Sequence, residues 1–95
     1  MYKKERLDCH VFIPDDTLVE GYIKITGDLI AGNNVIVRSE ISVGGDIYIG
    51  NNGDTLDIES EGDVIFGDDA YPSGIQSKGD IILGKGSVAK RIVSA

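Results

Sequence analysis

Apolar side chains recur along this chain with a period of six. Val11, Thr17, Ile23, Leu29, Val35, Ile41 and Ile47 form one series. Ile13, Val19, Ile25, Ala31, Val37, Val43 and Ile49 form a second, two residues further on. Two inward positions separated by one outward residue is the alternation of a β-strand. Each six-residue segment therefore predicts one short strand followed by a corner. Beyond Ile49 the pairs continue as Ile58 with Ser60, Val64 with Phe66, Ile75 with Ser77, Ile81 with Leu83, and Ile92 with Ser94. Helical periodicity sustained over several turns is absent.

A longer repeat contains the shorter one. Gly27-Asp28-Leu29-Ile30-Ala31-Gly32 returns as Gly45-Asp46-Ile47-Tyr48-Ile49-Gly50, as Gly62-Asp63-Val64-Ile65-Phe66-Gly67 and as Gly79-Asp80-Ile81-Ile82-Leu83-Gly84, with starts 18, 17 and 17 residues apart. A degenerate first unit, Cys9 to Thr26, carries Val11-Phe12-Ile13-Pro14 in the strand position. Such periods mean stacked units that share one core. Three strands per unit predict an all-β fold, a single-stranded parallel β-helix of triangular cross-section with about five turns of 17–18 residues. It would span residues 9–95, after a short N-terminal tail of residues 1–8. The residue missing from each later turn falls on the second face or its corner, where Leu56, Tyr71 and Val88 blur the register.

The polar positions mark the corners. After the closing glycines come Asn33-Asn34, Asn51-Asn52, Asp68-Asp69 and Lys85-Gly86, mostly residues that enter left-handed backbone conformations at least cost. Asp28, Asp46, Asp63 and Asp80 form a second polar column. Neighbouring carboxylates at the strand spacing repel by about 0.9 kcal/mol in water. Each Asp is expected to cap its own corner through an Asx-turn, with a weak cation-binding ridge as the functional alternative.

Composition narrows the chemistry. Ninety-five residues with 13 Gly, 2 Pro and 41% apolar content suit one domain rich in tight turns. A net charge of −7 makes nucleic acid a poor partner. Cys9 is the single cysteine, so no intrachain disulfide forms. The charged start from Met1 to Asp8 has no signal-peptide character, which sets the expectation of a cytoplasmic protein. His10 is the single histidine and shares the column of Asp28, Asp46, Asp63 and Asp80, which makes it a corner residue. Its neighbour Cys9 points to the opposite side of the strand, a poor geometry for a nucleophile and its base. Gly50-Asn51-Asn52-Gly53-Asp54 lacks the spacing of calcium-binding nonapeptides, and Thr17, Thr26 and Thr55 form no ice-binding array. No nucleotide-binding glycine loop occurs. The expectation is therefore no enzyme and no cofactor.

Repeats of the form Gly-Asp-Ile-x-Ile-Gly, with two bulky apolar positions per strand, resemble those of the bactofilins over about residues 9–95. Hexapeptide-repeat proteins, the left-handed alternative, place a small residue two positions before the aliphatic residue that precedes Gly. This chain has Leu29, Ile47, Val64 and Ile81 there. The resemblance implies a right-handed coil and a cytoskeletal protein. Such a protein polymerises with itself, end to end, into nonpolar filaments without nucleotide, often beneath a membrane. The chain departs from the family in having few turns and no Pro-rich flanks, so tail-dependent partners are not implied. Uncapped solenoid ends favour stacking on physical grounds as well. The end surfaces would be Ile81, Leu83, Val88, Ile92 and Val93 at one end, and Val11, Phe12 and Ile13 at the other. Met1, Tyr2, Lys3 and Lys4 match the short N-terminal membrane contact that bactofilins use. The alternative is a soluble β-helical binding or scaffold module, or a non-catalytic relative of the hexapeptide-repeat proteins.

Overall fold

The computed structural model describes residues 6–7, 11–89 and 91–94. All its regular elements are strands. In chain order they are β1 (Arg6–Leu7), β2 (Val11–Ile13), β3 (Leu18–Val19), β4 (Ile23–Ile25), β5 (Leu29–Ala31), β6 (Ile36–Val37), β7 (Ile41–Val43), β8 (Ile47–Ile49), β9 (Asp54–Ser60), β10 (Val64–Phe66), β11 (Tyr71–Ser77), β12 (Ile81–Ile82) and β13 (Arg91–Ser94). Every pair is parallel, and each strand bonds to one a full turn away. Val11 pairs with Leu29, Leu29 with Ile47, Ile47 with Val64, and Val64 with Ile81. The chain is a parallel β-solenoid of about five turns, as its columns predict.

The inward series is buried throughout the middle of the stack. Leu29, Val35, Ile47 and Val64 are fully enclosed, and Ile23, Ile25, Ile41, Val43, Ile58, Phe66 and Ile75 nearly so. Strand-period alternation is visible within single strands: Ile23 and Ile25 are buried around an exposed Lys24, and Ile47 and Ile49 around an exposed Tyr48.

The first face forms one five-stranded sheet, in the order β12-β10-β8-β5-β2. The second and third faces share the other sheet, and the reason lies at the missing residue. Val37 pairs with Thr55 and Ile41 with Ile58. Arg38 to Glu40 separate the two faces in the second turn, whereas only Leu56 and Asp57 do so in the third. With its corner shortened, the chain runs through as one strand, so β9 and β11 are each seven residues long. Leu56, Tyr71 and Val88 all point outward and are exposed. The inner positions of the second face are instead the small buried residues Gly53, Thr55, Ala70 and Pro72.

Small residues there make room for a large one. A Cβ on Gly53 would approach Ile49 Cγ2 to 2.7 Å and the Phe66 ring to 3.6 Å. Phe66, the bulkiest member of its column, fills the interior that Val35 helps fill a turn earlier.

The coil also begins earlier than residue 9. Arg6 pairs with Lys24 and Leu7 with Ile25, an 18-residue offset like that of the early turns. These two residues of the expected tail lie on the third face.

Two stability predictions follow from the inner and outer columns. Val64→Asp buries an unpaired carboxylate and should cost several kcal/mol, whereas Ile65→Asp, one residue on and partly exposed, should cost far less. Equal falls in melting temperature would show the faces to be misassigned. Thr55 Oγ1 is buried with no hydrogen-bond partner, so Thr55→Val should raise stability by about 1 kcal/mol in a denaturant titration.

Candidate functional surfaces

The corners are built from side chains that reach from one turn to the next. Asp28 Oδ1 accepts the Asp46 N–H, Asp46 Oδ1 that of Asp63, and Asp63 Oδ1 that of Asp80, each at 2.8 Å. The acidic column thus caps the corner of the following turn, where the Asx-turn expectation had each Asp capping its own. Glycine precedes each recipient because the carboxylate occupies the space of a side chain: a Cβ on Gly45, Gly62 or Gly79 would collide with the Asp of the turn below.

The other end of the first face repeats the device. Asp15 Oδ1 accepts from Asn33 N–H (2.7 Å), Asn33 Oδ1 from Asn51, Asn51 Oδ1 from Asp68, and Asp68 Oδ1 from Lys85 (2.9 Å). The following residues, Asp16, Asn34, Asn52, Asp69 and Gly86, all have φ between 56° and 74°. This is the left-handed corner column that the Asn, Asp and Gly content foretold. Asn34 Nδ2 donates to Asp16 Oδ1 and Asn52 Nδ2 to Asn34 Oδ1, both at 3.0 Å. Ser60 and Ser77, at inward positions just before the corner of the Asp column, each donate to a glycine carbonyl of the turn below and accept a glycine N–H.

These bonds account for several residues singled out as candidate ligands. Asn51, within the segment weighed as a calcium repeat, bonds backbone, and Gly53 is buried. Thr17 donates to Pro14 O at 2.8 Å, and Thr55 lies inside the coil. Among the described residues, no three of His, Cys, Asp and Glu are grouped to hold a metal ion. Cys9, His10 and the expected membrane contacts Met1, Tyr2, Lys3 and Lys4 lie outside the described residues. Among the described residues no helix is long and apolar enough to cross a membrane.

The residues expected at the two ends divide by direction. Val11, Ile13, Ile81, Leu83 and Ile92 belong to inner columns, and Phe12, Val88 and Val93 to outer ones. Val93 pairs in register with outward Gln76, whereas Ile92 pairs with buried Ile75. Val93 also lines an open depression of about 230 Å³ on the outer side of the third face, together with Tyr22, Glu40, Asp57, Glu59 and Gln76.

Among the described residues, Tyr48 is the one side chain whose titration the fold shifts. Its hydroxyl donates to Asp46 Oδ2 at 3.3 Å. The charge of Asp46 raises the phenol pKa above its ordinary 10.0, with smaller contributions from desolvation, the hydrogen bond, Asp28 and Asp63. A pKa raised by folding means that the protonated phenol favours the folded state below about pH 10, and that this contribution is lost as pH rises through the folded value.

The ladder separates two substitutions at one position. Asp46→Asn keeps the acceptor oxygen, as Asn33 and Asn51 do in the parallel ladder, and should leave the melting temperature unchanged or higher. Asp46→Ala orphans the Asp63 N–H and should cost about 1 kcal/mol or more. Absorbance titration of either variant should show Tyr48 ionising at lower pH than in the wild type.

Comparison of the chain with family models, curated proteins and solved structures finds no match.

Proposed function

We propose that the chain is a structural protein that assembles by stacking solenoid ends into filaments, without nucleotide. The observation that carries this reading is a step in exposure along one inner column. Ile41, Ile58 and Ile75 are 1–2% exposed, and Ile92, next in register, is 48% exposed. A further layer would cover Ile92 as β13 covers Ile75.

Backbone chemistry favours the same joint. β12 and β2 form the two edges of the first-face sheet, and β13 lies at one edge of the other. Edge strands present N–H and C=O groups that template further pairing. The surfaces need not be identical to fit, because β9 of a 17-residue turn already stacks on β6 and β7 of an 18-residue turn. The likeness of the Gly-Asp-Ile-x-Ile-Gly repeats to those of bactofilins supports the same reading. A solenoid whose side chains are engaged in corners and core also suits a scaffold better than it suits a reaction centre.

Assembly should rise with salt. Subunits of charge −7 repel, and the Debye length falls from about 30 Å at 0.01 M to about 8 Å at 0.15 M. Sedimentation and negative-stain microscopy should show filaments whose amount is indifferent to ATP or GTP. Ile92→Glu should abolish pelleting while circular dichroism stays that of a β protein, because the joint would have to desolvate a charge. Val93→Glu, on the outer wall, should pellet nearly as the wild type does. Wild-type protein that stays monomeric at every salt concentration would point instead to a soluble binding module.

A further inference from the structure

The first face carries an apolar row on its outside as well as its inside. Phe12, Ile30, Tyr48, Ile65 and Ile82 are consecutive partners in the parallel register, one per turn. Phe12 is 67% exposed, Ile30 42%, Tyr48 38% and Ile82 54%. Nothing about the fold demands this. The equivalent outward row of the third face reads Lys24, Ser42, Glu59, Gln76 and Val93, apolar only at its last member, and that of the second face is broken by Asp54. Five large apolar side chains in an unbroken line approach the patch size, about 300–600 Å², at which exposed apolar surface is often functional.

The border of the row identifies the partner's charge. Asp28, Asp46, Asp63 and Asp80 run along one side of it, and Asp15, Asn33, Asn51, Asp68 and Lys85 along the other. Two such faces brought together would oppose acidic borders on subunits of charge −7, and an anionic lipid surface would be repelled likewise. A cationic partner is attracted. The spacing of the row identifies the partner's shape. Successive rungs lie about 4.8 Å apart, close to the 5.4 Å pitch of an α-helix. An extended strand laid along the row would present same-side residues only every 6.6 Å or so. We propose that the outer row of the first face docks a basic amphipathic helix of a partner protein, lying along the solenoid axis. Its apolar seam rests on Phe12, Ile30, Tyr48, Ile65 and Ile82, and its Lys or Arg residues flank the Asp28–Asp80 side. Four rung spacings correspond to about 13 helical residues. The row lies on the wall of the coil, so docking does not depend on end-to-end assembly.

The test uses the full chain below its pelleting range and a labelled designed peptide with a leucine seam flanked by lysines. Fluorescence anisotropy should show saturable binding that weakens about tenfold or more in an Ile30→Ser/Tyr48→Ser variant. Asp46→Asn/Asp63→Asn, which keeps the corner acceptors, should weaken binding several-fold at low salt and little at high salt. Circular dichroism should show both variants folded. Three results would overturn the proposal. One is equal binding by wild type and the Ser variant, or of a peptide with glutamates in place of lysines. Another is a wild-type dimer in sedimentation that the Ser variant converts to monomer, which would make a second copy of the chain the occupant. The last is flotation with mixed phosphatidylcholine–phosphatidylglycerol vesicles, lost in the Ser variant, which would make the occupant a membrane.

Discussion

The interaction on which the rest of the structure depends is the bond from a corner Asp or Asn oxygen to the backbone N–H one turn on, passing over a glycine. At each end of the first face a backbone N–H points away from the strand ladder, and a partly buried, unpaired donor costs about 1–3 kcal/mol. The side chain of the neighbouring turn supplies the acceptor. It reaches only if the intervening position lacks a side chain, so glycine and Asx travel together through the sequence. The bond also locks register. A slip of one residue between turns would present each carboxyl oxygen to the wrong group and turn every inward side chain outward.

Register fixed in this way lets turn length vary without loss of the core. The coil shortens from 18 to 17 residues by closing up the one corner that carries no Gly-Asx ladder, between Val37 and Ile41 in the second turn and Thr55 and Ile58 in the third. The two ladders and the first face between them continue unchanged. The interior adjusts through volume: Gly53 and Ala70 replace a valine in the column of Val35, and Phe66 expands toward them.

Because the interior and two corners are specified turn by turn, the outer walls and the ends are where composition is free. The third face uses that freedom for polar side chains, with Lys24, Ser42, Glu59 and Gln76 outward ahead of Val93. The first face does not. Its apolar outer row and the exposed Ile92 are two places, among the described residues, where large apolar side chains are exposed. Both suit a protein that acts by binding, to copies of itself or to others.

The inward columns were legible because a strict period of six leaves one arrangement that buries Leu29, Ile47, Val64 and Ile81 together, and the Asn-Asn and Asp-Asp pairs announced the left-handed corners. Spacing alone also placed the lost residue near Leu56 and Tyr71. It did not reveal that Gly53, Thr55, Ala70 and Pro72 face inward, since small or polar residues leave no hydrophobic signal. Nor did it show that Asp28 serves Asp46 one turn on, because a bond between residues 18 apart exists only once turns are stacked. The same holds for Arg6 and Leu7, two residues too few to display a period until β4 lies beside them. Alternation along one strand is a local property, and the sequence by itself determined it. Which polar atoms bond across turns, and which small residues turn inward, depends on stacked turns being in contact, and that only the tertiary structure decided.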